Sequence, residues 1–297
     1  MNSRQGEHVI SKVDVKKIFA FGCTVASALF GAVASVVPYG TDERQCGDLL
    51  LPDKVTGDTP KLLLIHGGGW HSEKYQRGTL ADVAEIFRNA GYVVYNIDYR
   101  LAPAAPWPKI GDDCLASARK LVSCEGQPQL CAVARKPVFI LGASAGGHLA
   151  LMTGLRLPRA DVLGIVSVSG IADPKEDMKL HPQRYADLFA GGEPTPLAFP
   201  AAHLTANSPP VLFTHYRHDK VVPIASASSL ARRMKEMGLR AECYFYDFGR
   251  SNQGHAIWDV NNRKKHVFYG DIEQRIFEFF NSFNPDRKAG QDLSKKE

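Results

Sequence analysis

The stretch PVFILGASAGGHLA, residues 137–150, decides the fold of this 297-residue chain. Its first half is an apolar run opened by Pro137, the signature of a buried strand, and the continuation GHLALMTGLRL has the composition of a helix. Between the two, Gly142-Ala143-Ser144-Ala145-Gly146 sets a serine at the junction. A strand that turns sharply into a helix packs its backbone against itself. Only residues as small as Gly or Ala allow that approach, and the apical side chain then projects above the sheet. Taken alone, G-x-S-x-G also describes an ordinary Gly/Ser turn. Its position between a strand and a helix makes Ser144 the candidate nucleophile.

Outward from this junction, short apolar runs alternate with longer amphipathic ones. KLLLIH is followed by LADVAEIFRNAG, YVVYNID by DDCLASARKLV, and PVLFTHY by SASSLARRMKEMG; AECYFYDF and a closing helix DIEQRIFEFFNSF complete the series. This is the βαβα pattern of a parallel sheet, with strands predicted at 62–66, 93–98, 137–142, 162–168, 211–216 and 241–247. Sites in such sheets form at the carboxyl ends of the strands. The irregular stretch from Ile171 to Ser208 is where a lid or substrate-binding insertion belongs, and its length admits only a small one.

Three further motifs fall at strand ends. His66-Gly67-Gly68-Gly69-Trp70 follows KLLLI, and consecutive glycines let backbone N–H groups converge on an oxyanion. Gly68 and Gly69 are the expected donors, together with Ala145 at the start of the elbow helix; Gly67 is the alternative to Gly69. Trp70 either packs beside an acyl pocket and contacts substrate or fills core, and His66 reads as a structural hydrogen-bonding residue. In this fold the order along the chain is nucleophile, acid, histidine. Asp219, in His215-Tyr216-Arg217-His218-Asp219-Lys220-Val221-Val222-Pro223, is the expected acid, with Asp173 and Asp247 as alternatives. His255, in the loop SNQGHAIW, is the expected base, able to take the Ser144 proton and return it to a leaving group. His266 is its rival, in a charged RKKH run. His148, His215 and His218 read as local hydrogen-bonding residues.

HGGGW, DYRLAP at 98–103 with PWP and Asp112-Asp113 after it, GASAGGHLA, HDKVVP and Gly254-His255 together resemble the esterase/lipase group of α/β-hydrolases. The nearest likeness is to compact bacterial carboxylesterases of the feruloyl- and acetyl-esterase kind, related to the hormone-sensitive-lipase group, and it covers residues 39–284. The resemblance implies an α/β-hydrolase fold: a mostly parallel central sheet, helices on both faces, and a small lid or none. It also implies a serine hydrolase cleaving short-chain acyl or aryl carboxylic esters through an acyl-enzyme, with neither metal nor organic cofactor. Ala143 stands where many hormone-sensitive-lipase relatives carry an Asp before the serine. HGGGW also fits the H-G-G-x-W form of arylformamidases, so an amidase with the same triad is the alternative. A catalytically inactive binding protein on the same scaffold is the third reading; such decay removes a triad member or an oxyanion glycine, and here all are present.

The flanks carry targeting information. Lys16 and Lys17 precede an uncharged apolar run from Ile18 to Val37, and Ala32 and Ala34 provide an A-x-A pattern for cleavage before Ser35. Residues 1–34 are therefore expected to be a secretory signal peptide of an exported, periplasmic or secreted protein; the alternative is an anchor formed by residues 18–37. Residues 285–297 form a polar tail predicted to be disordered. The 36 basic and 31 acidic residues give a net charge of +5 without a basic run, which argues against a nucleic-acid partner. A small-molecule ester is the expected partner, with no obligate protein partner. Of six cysteines, Cys124 and Cys131 flank a short loop where an oxidising compartment would permit a disulfide. None has zinc-ligand spacing.

Overall fold

The computed structural model describes residues 35–126, 137–247, 255, 257–260, 266–269 and 271–283. In chain order the strands are β1 (Ser35–Pro38), β2 (Cys46–Leu50), β3 (Lys61–Ile65), β4 (Val93–Ile97), β5 (Val138–Ala143), β6 (Val162–Val168), β7 (Val211–Tyr216), β8 (Ala241–Tyr246), β9 (Trp258–Val260) and β10 (His266–Phe268). The helices are α1 (Ala81–Asn89), α2 (Lys109–Ser123), α3 (Ala145–Arg156), α4 (Pro174–Leu180), α5 (Pro182–Leu188), α6 (Ile224–Glu236) and α7 (Ile272–Asn281).

Successive side chains of a strand point to opposite faces. Leu62 and Leu64 of β3 accordingly join one apolar cluster while Leu63 and Ile65 join the other. A sheet that is apolar on both faces needs a cover on each. Helices α1 and α7 cover one face with Val83, Phe87, Ile276 and Phe280. Helices α2, α3 and α6 cover the other with Ile110, Leu121, Leu149, Leu230 and Met234. The eight strands run in the order β1-β2-β4-β3-β5-β6-β7-β8, parallel from β4 to β8, with β1 and β2 antiparallel at one edge. This is the α/β-hydrolase fold. Strands β9 and β10 form a separate antiparallel pair.

All six expected strands form. The first two strands and the β9–β10 pair are additions, being three to five residues long and only partly apolar, too short to show a period. The sheet begins at Ser35, four residues ahead of the expected domain start at 39, because Val37 packs inward and Ser35–Pro38 pairs with Cys46–Leu49. The region between β6 and β7 holds two short helices, α4 and α5. The targeting segment 1–34, the tail 285–297 and Cys131, the expected partner of Cys124, lie outside the described residues.

Candidate active site

The serine sits where β5 becomes α3, at φ 56° and ψ −122°. A non-glycine residue in that region is strained, and such strain is retained where surrounding packing dictates it. Here the packing is explicit. A Cβ on Gly142 would land on the carbonyl of Gly146, one on Gly146 would meet the Ile65 and His66 carbonyls, and one on Gly147 would lie 2.6 Å from Gly170 Cα. The Ser144 N–H donates to Val168 O of β6 at 3.0 Å, tying the turn to the neighbouring strand. Ala145 is the first residue of α3, so its N–H lies at the positive end of the helix dipole.

Strands β3 and β5 are parallel neighbours, with Ile65 opposite Gly142, and this pairing delivers HGGGW beside the serine. A Cβ on Gly67 would lie 2.9 Å from Ala143 O and 3.2 Å from Ser144 Cβ; the two turns touch through a residue with no side chain. Gly68 and Gly69 take φ of 104° and 60°, within glycine's range. The turn closes through the N–H groups of His71 and Ser72, which donate to Gly68 O. It is braced from below. The Tyr99 hydroxyl bonds the carbonyls of His66 and Gly67 at 3.1 Å each, and the His66 ring stacks on Tyr99. Asp98 contacts His66 at 3.4 Å and pairs with Arg77. Burial opposes its ionisation, yet the His66 contact and Arg77 hold its pKa down to about 2. His66 is thus structural, as expected. Trp70 is 1% exposed, edge-on to His148 and Tyr185. Of its two sequence-based alternatives it takes the core; it does not line the cavity, and substrate contact is corrected to packing.

The acid follows β7 directly and the base lies further along the chain, between β8 and β9. Asp219 Oδ1 accepts the N–H groups of Val221 and Val222, each at 2.9 Å. Its Oδ2 lies 2.7 Å from His255 Nδ1. A carboxylate only accepts, so Nδ1 carries the proton and Nε2 is left to accept one. Burial lowers the pKa of the neighbouring His215, which keeps that ring neutral; its Nε2 donates to Val222 O at 2.9 Å. Of the alternative acids, Asp173 caps α4, accepting Lys175 N–H and the Ser229 hydroxyl, while Asp247 is exposed. His266 opens β10, where its backbone pairs with Val260. His148, fully buried, donates from Nε2 to Ala198 O at 2.8 Å.

Ser144, His255, Gly67, Gly68 and Gly69 line one cavity of about 520 Å³, within the size range of small-molecule sites. Its wall also includes Tyr75, Arg184, Ile257 and Trp258, none of which the sequence had marked. Arg184 rises from α5, inside the irregular stretch, and Trp258 belongs to the three-residue β9; neither carries a local signal. The arrangement juxtaposes a strained serine, a histidine in the tautomer that accepts at Nε2, and a cluster of glycine amides. Such a set can perform acyl transfer. Among the described residues, no cluster of His, Cys, Asp and Glu suits a metal ion.

Comparison with known proteins places these features in context. The model of the family described as BD-FAE matches residues 48–234. Esterase LipC of Mycobacterium tuberculosis is 27% identical over 250 residues, an alignment covering 75% of this chain and 60% of LipC; the chain thus spans less than two thirds of that relative. A carbohydrate esterase from gut microbiota, solved in truncated form, superposes with a TM-score of 0.67 at 19% identity, covering 85% of this chain and 95% of that one. A thermophilic esterase of the Planctomycetes species Thermogutta terrifontis gives 0.65 at 21% identity, covering 84% and 92%. These superpositions share the fold.

Proposed function

The chain belongs to the BD-FAE family, and from that premise we propose that it is a serine hydrolase cleaving carboxylic esters of small molecules through an acyl-enzyme. Ser144 attacks the ester carbonyl. His255 takes its proton at Nε2 and passes it to the departing alkoxide, and Asp219 holds the ring in the required tautomer. The amides of Gly68, Gly69 and Ala145 receive the oxyanion. Water then deacylates the serine by the same route in reverse. The mechanism uses no cofactor.

The observation that carries this reading is the 2.7 Å pair of His255 and Asp219 on the cavity that Ser144 and the three glycines line. The esterase names of the relatives support the choice of esters, as does the easier departure of an alkoxide than of an amine. Hydrolysis of p-nitrophenyl acetate, butyrate and octanoate, beside N-formylkynurenine, tests it. Ester turnover that disappears in Ser144→Ala is the expected result. Turnover of the formamide in preference to every ester would reassign the enzyme as an amidase.

Export is part of the proposal. Cleavage after Ala34 would leave β1 whole at the mature N-terminus, whereas an anchor over 18–37 would draw on residues that pair in the sheet. N-terminal sequencing of the exported protein is expected to begin at Ser35, and retention of residues 1–34 would contradict it.

A further inference from the structure

Among the described residues that line the cavity, Arg184 is the one permanently charged side chain and none is a carboxylate. The guanidinium is held from behind. Its Nη1 lies 3.2 Å from Oδ2 of Asp177, a carboxylate with no exposed surface, and the Tyr185 hydroxyl donates to the same oxygen at 2.8 Å. A Cβ added to Gly69 would lie 3.2 Å from Arg184 Nε, so the cation borders the glycine loop beside the serine. The Asp177 contact is loose and engages one terminal nitrogen. Among the described residues no hydrogen bond engages Nε or Nη2, although guanidinium is a planar fork suited to two parallel bonds with a carboxylate.

A cation anchored by a buried acid, with part of its fork turned to a cavity that has no acid among its described lining residues, is suited to receive an anion. We propose that Arg184 selects esters carrying a second, free carboxylate, which it binds while the ester carbonyl meets Ser144. This rests on the ester-hydrolase reading and narrows its substrate class. The carboxylate can belong to the acyl side, as in a dicarboxylic hemiester, or to the alcohol side.

The test compares kcat/KM for p-nitrophenyl butyrate with that for mono-p-nitrophenyl succinate, which carries the charge on the acyl side. A second pair compares phenyl butyrate with 4-carboxyphenyl butyrate, which carries it on the alcohol side, after correction for leaving-group reactivity by alkaline hydrolysis. The wild-type enzyme is expected to favour the charged member of one pair. That preference should fall at least tenfold in Arg184→Gln, through KM, and should recover in part in Arg184→Lys. If Arg184 merely neutralised Asp177, the charged-to-neutral ratio would stay the same in all three proteins, and the inference would be overturned while ester hydrolysis stood. Wild-type preference for the neutral member of both pairs overturns it as well. Absence of turnover of all four esters would remove the hydrolase reading and this inference together.

Discussion

Replacing Asp219 with Asn exchanges one heavy atom, and its consequence can be worked out from the hydrogen bonds. Oδ1 receives two backbone N–H groups, from Val221 and Val222. In the variant these donors hold the amide oxygen at that position, which turns the NH2 toward His255 Nδ1. The ring nitrogen must then accept, its proton moves to Nε2, and the atom that should take the proton from Ser144 already carries one. The shape of the site is unchanged but its tautomer is inverted. Loss of the tautomer in a Ser-His-Asp site lowers kcat by about 10⁴, the magnitude established for serine proteases; at about 1.4 kcal/mol per tenfold this is roughly 5.5 kcal/mol of barrier. Measured on p-nitrophenyl butyrate, kcat is expected to fall by that factor with KM little changed, and thermal unfolding should confirm a folded protein. A folded variant retaining more than a tenth of wild-type kcat would refute the assignment of Asp219 as the partner of the base.

Other perturbations follow from the packing and burial. Gly67→Ala sets a Cβ 2.9 Å from Ala143 O and 3.2 Å from Ser144 Cβ; overpacking should lower stability by about 1–3 kcal/mol, and displacement of the serine should reduce kcat/KM about a hundredfold, read by urea unfolding and ester hydrolysis. Asp98→Ala removes the acceptor of the Arg77 backbone N–H and one of the two carboxylates that pair with its side chain, Asp48 being the other; it should destabilise by about 1–3 kcal/mol, also read by urea unfolding. His148 has its pKa lowered from 6.5 to about 4 by burial. Between those values the unfolded chain binds a proton that the native state refuses, so stability falls as pH drops from 6.5 toward 4, by about 3 kcal/mol from this group alone. Urea midpoints across that range should decline less steeply in His148→Gln, and equal slopes would count against the assignment.

The sequence was legible where chemistry imposes a local pattern. Mostly apolar runs of five to seven residues on a sheet buried on both faces mark β3 to β7, and glycines crowd where β5 turns into α3 against β3. Asp219 and His255 were legible because chain order and strand ends restrict the choice of acid and base. What stayed hidden is set by distance along the chain. Arg184 reaches the cavity from a seven-residue helix, with Asp177 and Tyr185 behind it, and no periodicity links those residues to Ser144. The alternatives open for Trp70 were decided by packing against His148 and Tyr185, contacts between segments far apart in sequence. Strand β1 lay at the end of an apolar run that reads equally as part of a targeting segment.

The central claim is that Ser144 is the acylated nucleophile, and intact-mass analysis after exposure to a fluorophosphonate probe tests it most directly. A single adduct is expected, mapped by peptide sequencing to Ser144 and missing from Ser144→Ala. A folded wild-type protein that forms no adduct, or an adduct of equal yield in the Ser144→Ala protein, would contradict it.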